Sequence, residues 1–277
     1  MAVLFALCSA ATYGIGDFCG GMAARRVPAT TVLLWSHLLG LLLLLTAAPF
    51  IGGALGGRDL LVGGVGGLAG AAGVGLLYKG LSIGPMSVVA PITALLSAAV
   101  PVVVGLVQGD RPSLGVVIGM VGALVAIVLV SAEGGGSLRP ADLRGVTFAL
   151  GAGLGFGLFF VALSYTGDDS GIWPLVAART ASVTIVGGLA LLGRVPRSAP
   201  VAGARAFTAV AGSLDAAANV LYLLAVREGL LSVVSVLAAL YPVGTVVLAR
   251  FVLKERFAAL QRIGMAIALP AAILMAT

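Results

Sequence analysis

Apolar residues run through this chain in blocks of about twenty, separated by short stretches where Gly, Pro and charged residues return. A hydrocarbon core about 30 Å thick needs about 20 apolar residues in a helix to cross it, so each block is long enough for one membrane span. The pattern predicts ten helices, over 3–23, 29–50, 60–79, 86–107, 113–131, 143–165, 172–193, 206–226, 230–252 and 259–276. Most breaks between them are a few residues long. The exceptions are AEGGGSLRPADLR (132–144) and GRVPRSAPVAGAR (193–205), and neither leaves room for an extramembrane domain.

Composition points the same way. Apolar residues make up 60% of the 277 and charged ones 9%, against about half and about a quarter in soluble domains. The fold class expected is therefore an all-α integral membrane protein. The net charge of +6 comes from 16 basic and 10 acidic residues, nearly all between apolar blocks. It reports membrane topology rather than a nucleic-acid surface, and nucleic acid is excluded as a partner. The opening MAVLFALCSAATYG has neither a basic start nor a small-residue cleavage site, so the first helix is expected to be retained. Cys8 and Cys19 lie on that one helix about 16 Å apart and cannot bridge each other.

Comparison of the two halves is more informative. GPMSVVAPITALLSAAVPVVVGLVQGDRPSLGVVIGM (84–120) aligns without a gap on GLLSVVSVLAALYPVGTVVLARFVLKERFAALQRIGM (229–265), at a constant offset of 145. Gly84, Ser87, Val88 and Val89 fall on Gly229, Ser232, Val233 and Val234, and Asp110-Arg111 on Glu255-Arg256. A weaker match sets ALCSAATYG (6–14) on ALGAGLGFG (149–157). Five helices per half is an odd number, so the second half must sit upside down relative to the first. The expected organisation is a first five-helix repeat at 1–131, a linker at 132–144 and a second repeat at 145–277. Inverted repeats of this kind build many secondary transporters, with the substrate site near the midplane between the halves.

These repeats, the acidic-basic pair after the fourth and ninth helices, and the five-plus-five layout resemble the EamA-type members of the drug/metabolite transporter superfamily. The resemblance covers essentially the whole chain. In that family the pair usually reads Gly-Glu-Arg where this chain has GDR, and helix 1 often carries Trp-Gly where this chain has Tyr13-Gly14. The resemblance implies a basket of ten helices around a central cavity that opens alternately to either side. It leaves the solute open, because relatives move amino acids, nucleotide sugars, sugar phosphates and drugs. The expected partners are a small organic solute, the lipid bilayer of the cell (cytoplasmic) membrane and protons as a coupling ion, with export as the direction.

Loop charges orient the chain. The side that joins helices 1–2, 3–4, 5–6, 7–8 and 9–10 carries twelve Arg and Lys, from Arg25 to Arg262, against Arg58, Arg111 and Arg227 on the other. The positive-inside rule makes the twelve-charge side cytoplasmic and puts both termini outside. The family resemblance implies the reverse, with both termini in the cytoplasm.

Few strongly polar residues fall inside the spans: Asp17, His37, Arg179, Asp215 and Asn219, accompanied by Tyr13, Trp35, Tyr222 and Tyr241. At 1.5 Å per residue, Asp17 and His37 lie about 12 Å, and Asp215 about 13 Å, from the twelve-charge ends of their helices, which is one depth. Arg179 enters from the other side, about 10 Å down helix 7, and its long side chain can close most of a gap of roughly 7 Å to Asp215. Ser9, Tyr13 and Asp17 recur at i, i+4 and i+8, and Asp215, Asn219 and Tyr222 at i, i+4 and i+7, so each set occupies one helical face. An ionisable group in the membrane marks a solute or proton pathway by default. Asp17 is accordingly expected to bind a cationic group or carry a proton, with His37 at matching depth to exchange it. An Asp215–Arg179 pair serves equally as a tie between helices, a lone His is often a core residue, and Trp35, Tyr222 and Tyr241 suit cavity wall or packing.

Small residues and prolines have packing roles. In helix 3, Gly63 with Gly67 and Gly66 with Gly70 form small-xxx-small pairs that let helices approach closely. Pro91 and Pro101 in helix 4 and Pro242 in helix 9 remove backbone bonds in two repeat-equivalent helices. A rival reading takes GIGD (14–17) as the Gly-x-Gly-Asp motif of an intramembrane aspartyl protease, with Asp215 as the second acid. The Tyr-Asp partner motif is missing, and a protease does not explain the repeat. No HExxH or GxSxG is present, and a single His cannot supply a metal cluster, so neither cofactor nor metal is expected.

Overall fold

A computed structural model describes residues 1–84, 86–131, 140–196, 198–252 and 258–276. The helices are α1 (Ala2–Ala24), α2 (Ala29–Ile51), α3 (Gly57–Ile83), α4 (Met86–Gln108), α5 (Leu114–Ser131), α6 (Pro140–Ser164), α7 (Trp173–Leu191), α8 (Ala202–Glu228), α9 (Leu231–Ala238), α10 (Tyr241–Val252) and α11 (Ala259–Leu274), with a single 3-10 turn at Asp168–Ser170. Among the described residues seven helices are long and apolar enough to cross a membrane, and three further apolar stretches are shorter. Among the described residues there is no strand.

The helix expected over 230–252 is two helices. Before Pro242, which has no N–H to continue the ladder, the chain tightens: Leu240 N–H donates to the Leu237 carbonyl (3.1 Å) and Val243 N–H to that of Leu240 (3.0 Å). These three-residue bonds end α9 and restart the chain as α10. Its repeat counterpart α4 runs unbroken through Pro91 and Pro101.

Packing follows the repeat. α1 lies on α8 as α6 lies on α3; α2 packs on α8 as α7 packs on α3; α1 meets α9 and α10 as α6 meets α4; and α5 pairs with α11. Each of these contacts therefore has a partner contact in which every helix is replaced by its repeat equivalent. The halves also run in opposite directions. The start of α1 lies by the end of α8, where the terminal amine approaches Glu228 at 3.7 Å. The start of α3 lies by the end of α6, where Asp59 accepts a bond from Gly167 N–H (3.0 Å).

The small residues of α3 split between two neighbours. Gly63 and Gly67 abut Pro174 and Ala178 of α7, whereas Gly66 and Gly70 abut Ala162 and Phe159 of α6. A Cβ on Gly67 would run into Ala178 itself, and one on Gly212 of α8 would run into the Ser36 backbone of α2. Such close approach sets the distance at which α2, α3, α7 and α8 present their polar side chains.

Candidate functional site

Midway along the helices an internal cavity of about 30 Å³ separates the halves, room for a water or two. Its polar lining is Tyr13 and Asp17 from α1, Ser97 from α4, Arg179 from α7, Asp215 and Asn219 from α8, and Tyr241 from α10. Phe156, Phe159 and Phe160 of α6 supply an aromatic wall, and Gly67, Gly70 and Val74 of α3 with Ala178 the rest. Helix α2, whose His37 was expected to exchange a proton with Asp17, contributes no residue to the cavity lining.

Arg179 is the centre of a bonded network. Its Nη2 donates to Asp215 Oδ2 in a largely buried ion pair, Asp215 being half-buried like Asp17. Its Nη1 lies 2.7 Å from His37 Nε2. A guanidinium only donates, so Nε2 must accept, and the ring proton sits on Nδ1. Nδ1 then donates to Ser182 Oγ at 2.5 Å. His37, 2% exposed, is thus the backing of Arg179 rather than the partner of Asp17, although depth along the helices had brought those two together. Depth fixes height; helix rotation decides the neighbour, and α2 turns His37 toward α7.

On α8, Asn219 Nδ2 donates to the Asp215 carbonyl (2.6 Å), and Tyr13 OH donates to Asn219 Oδ1 (2.7 Å). Ser9 Oγ donates to the Ala218 carbonyl (2.8 Å). The polar face of α1 therefore rests on that of α8 for two of its three residues. The third, Asp17, is half-buried in the cavity wall and has no hydrogen-bond or ion-pair partner among the described residues.

The other aromatic candidates separate. Tyr241 lines the cavity and donates to the Ala90 carbonyl (3.3 Å). Tyr222 is fully buried behind it, stacked on Phe160 at a centroid distance of 4.2 Å and bonded to Ser235 Oγ (2.8 Å). Trp35 is not at the cavity; at 38% exposure it faces outward from α2. Sequence reasoning missed Ser97, Ser182 and the three phenylalanines. The phenylalanines recur at i, i+3 and i+4 on α6, a signal that reads as ordinary core.

At the end that carries the N terminus the halves are tied by polar contacts. Asp110 Oδ2 accepts from both the N–H (2.9 Å) and the hydroxyl (2.7 Å) of Ser232, which caps α9 from across the repeat boundary. Ala54 N–H donates to the Asp169 carbonyl (2.7 Å). The counterpart pair, Glu255-Arg256, lies outside the described residues. Among the described residues no cluster of three His, Cys, Asp or Glu is present.

The aspartyl-protease reading has no support. GIGD lies inside α1, where Gly14 abuts the backbone of Tyr241 and Gly244, and Asp215 is bonded to a guanidinium rather than to a second acid.

A helical membrane protein made of two inverted halves around a charged internal cavity is the class that this geometry defines. A profile of the EamA-like transporter family matches residues 1–132 and 143–277, and the chain belongs to that family. It is a multi-pass membrane transporter of the drug/metabolite type. No curated protein matches the chain at a significant level. A crystal structure with 18% identity superposes with a TM-score of 0.74 over 97% of this chain and 98% of the other, a likeness of fold.

Proposed function

We propose that the chain is a secondary transporter that exports a small organic solute across the cytoplasmic membrane by alternating access through the central cavity. The observation that carries this reading is the placement of Asp17, Arg179 and Asp215 in one cavity at the boundary between the halves. Ten passes are part of the proposal: α9 and α10 together make one, and α5 and α11 make two that fall short of the usual length. The repeats then take residues 1–131 and 145–277, and the twelve-charge side faces the cytoplasm.

A cavity of about 30 Å³ is too small for an organic solute, so loading requires the halves to separate. Asp110–Ser232 and Asp59–Gly167 join the halves at one end and Arg26–Gly203 at the other, so these bonds would have to break in turn. Arg179, Asp215 and Asn219 form the α7–α8 wall, Tyr13 links it to α1, and on α1 Asp17 offers both carboxylate oxygens to a cationic group or a proton. Tyr241 completes the wall, Tyr222 and His37 support it from behind, and Trp35 is assigned to the lipid-facing surface.

The test is flux in reconstituted vesicles with a panel of amino acids, metabolites and organic cations, with and without a pH gradient. Uptake of a panel member into inside-out vesicles supports the reading. No flux across the panel with correctly folded protein counts against it.

A further inference from the structure

On the outer surface of the bundle a groove of about 340 Å³ runs between α2 and α8, lined by Trp35, Leu38, Leu39, Leu42, Thr208 and Ala209. Ala199, Pro200 and Arg205 form its mouth. We propose that this groove binds one anionic phospholipid, with an acyl chain along α2 and the phosphate on Arg205. The inference rests on placement of the chain in a membrane and not on which solute it carries.

Four observations converge on that occupant. The groove wall is apolar apart from Thr208, whose hydroxyl is already spent on the Ala204 carbonyl (2.9 Å). Nothing inside it calls for a polar ligand. At the mouth, Arg205 Nε donates to the Pro200 carbonyl (2.9 Å), which holds the guanidinium in place and leaves its two Nη groups without a partner among the described residues. A fixed, uncompensated guanidinium is a phosphate site by charge and by geometry.

Depth is the third observation. The starts of α2 and α8 are level, since Arg26 just before α2 donates to the Gly203 carbonyl. Arg205 then lies about 5 Å and Leu42 about 20 Å from that level. The difference of about 15 Å is one leaflet of the hydrocarbon core. Trp35, exposed on the lipid-facing side, sits in the upper part of this span, where amphipathic rings collect. Finally, the loops that the sequence pattern puts on this side hold twelve of the sixteen basic residues. Basic pockets between helices on such a side suit anionic headgroups.

A seated lipid would bridge two helices with a stake in the cavity. The inner face of α2 carries His37, and α8 carries Asp215; these are the two partners of Arg179. Lipid at the back would hold the wall on which that guanidinium rests.

The experiment uses the purified full chain, delipidated in detergent, with phosphatidylglycerol and phosphatidylcholine compared by native mass spectrometry and by melting temperature. The expected result is one retained phosphatidylglycerol and a higher melting temperature than with phosphatidylcholine. Arg205→Gln should weaken phosphatidylglycerol about five- to tenfold and leave phosphatidylcholine unchanged. Ala209→Phe, which fills the groove, should remove both; Leu42→Trp does the same job should the first variant not fold. Equal retention of the two lipids, or no response to Arg205→Gln and to groove filling, overturns the proposal. So does full displacement of phosphatidylglycerol by inorganic phosphate, which would make Arg205 a simple anion site. A lipid-free dimer that dissociates on groove filling would give the groove to a second copy of the chain.

Discussion

Two acids share the cavity, and their surroundings treat them oppositely. Asp215 on α8 is bonded to Arg179, which is backed by His37 and Ser182, while Asn219 secures the backbone beneath it and Tyr13 secures Asn219. Asp17 on α1 faces the same space with no partner among the described residues. Burying charge is expensive unless it is paired. The α7–α8 wall meets that requirement within the protein, and the α1 wall leaves it to whatever enters the cavity. Under the proposed function the first wall is scaffold, and the second presents the working group.

Breaking the scaffold should have the largest effect. Arg179→Met or Asp215→Leu alone leaves one uncompensated charge among buried helices, at about 3–5 kcal/mol. The double variant removes both charges and should be more stable than either single one. Melting temperatures in detergent, together with the amount of protein reaching the membrane, give the comparison. A double variant no better than the worse single would mean that the two charges are not coupled.

The next effect comes from the spacing that brings the walls together. Gly67→Leu would force α3 off α7 at Ala178 and displace Arg179, the next residue along. Overpacking of this kind costs about 1–3 kcal/mol. The same change at Gly64, where a Cβ meets nothing closer than 4.0 Å, should be tolerated. If both positions respond alike, close packing of α3 is not what sets the wall.

A smaller loss is expected where Asp110 meets Ser232. Asp110→Ala removes the cap on α9, for about 0.5–2 kcal/mol. Ser232→Ala removes only the hydroxyl bond and should be milder. Hydrogen exchange should rise in the first turn of α9 for Asp110→Ala and stay near wild type elsewhere; uniform change along the chain would contradict a local cap.

These contrasts also mark what could be read in advance. The spans, the repeat, the inverted order and the Arg179–Asp215 pair all follow from periodicity, offset and depth, because a helix in a membrane leaves little freedom in height. Rotation about the helix axis is what sequence does not carry. Trp35 and His37 are two residues apart, and only packing shows that one faces lipid and the other Arg179. The break in α9–α10 was half visible in Pro242, but Pro91 and Pro101 lie within an intact α4, so a proline alone does not forecast which helix yields. Asp110 was legible as half of an acidic-basic motif, but not as a cap, since its partner Ser232 lies 122 residues away across the repeat boundary.

The sharpest test of the comparison makes one substitution at both acids and expects its smallest stability effect at Asp17. Asp215→Asn keeps the shape of the side chain but strands the Arg179 charge, so it should destabilise. Asp17→Asn strands nothing, since no described residue pairs with it, and should be neutral or slightly stabilising, within about 1 kcal/mol. Transport should respond in the opposite sense. If Asp17 carries the coupling proton, Asp17→Asn abolishes accumulation driven by a pH gradient and keeps exchange of solute across the membrane. If it holds a cationic group, exchange of cationic solutes is lost as well. Either outcome, on a protein that melts like the wild type, assigns Asp17 to the transported species. Wild-type exchange, accumulation and pH dependence in Asp17→Asn would make the unpaired acid a bystander and leave the division between scaffold and working wall without its working half.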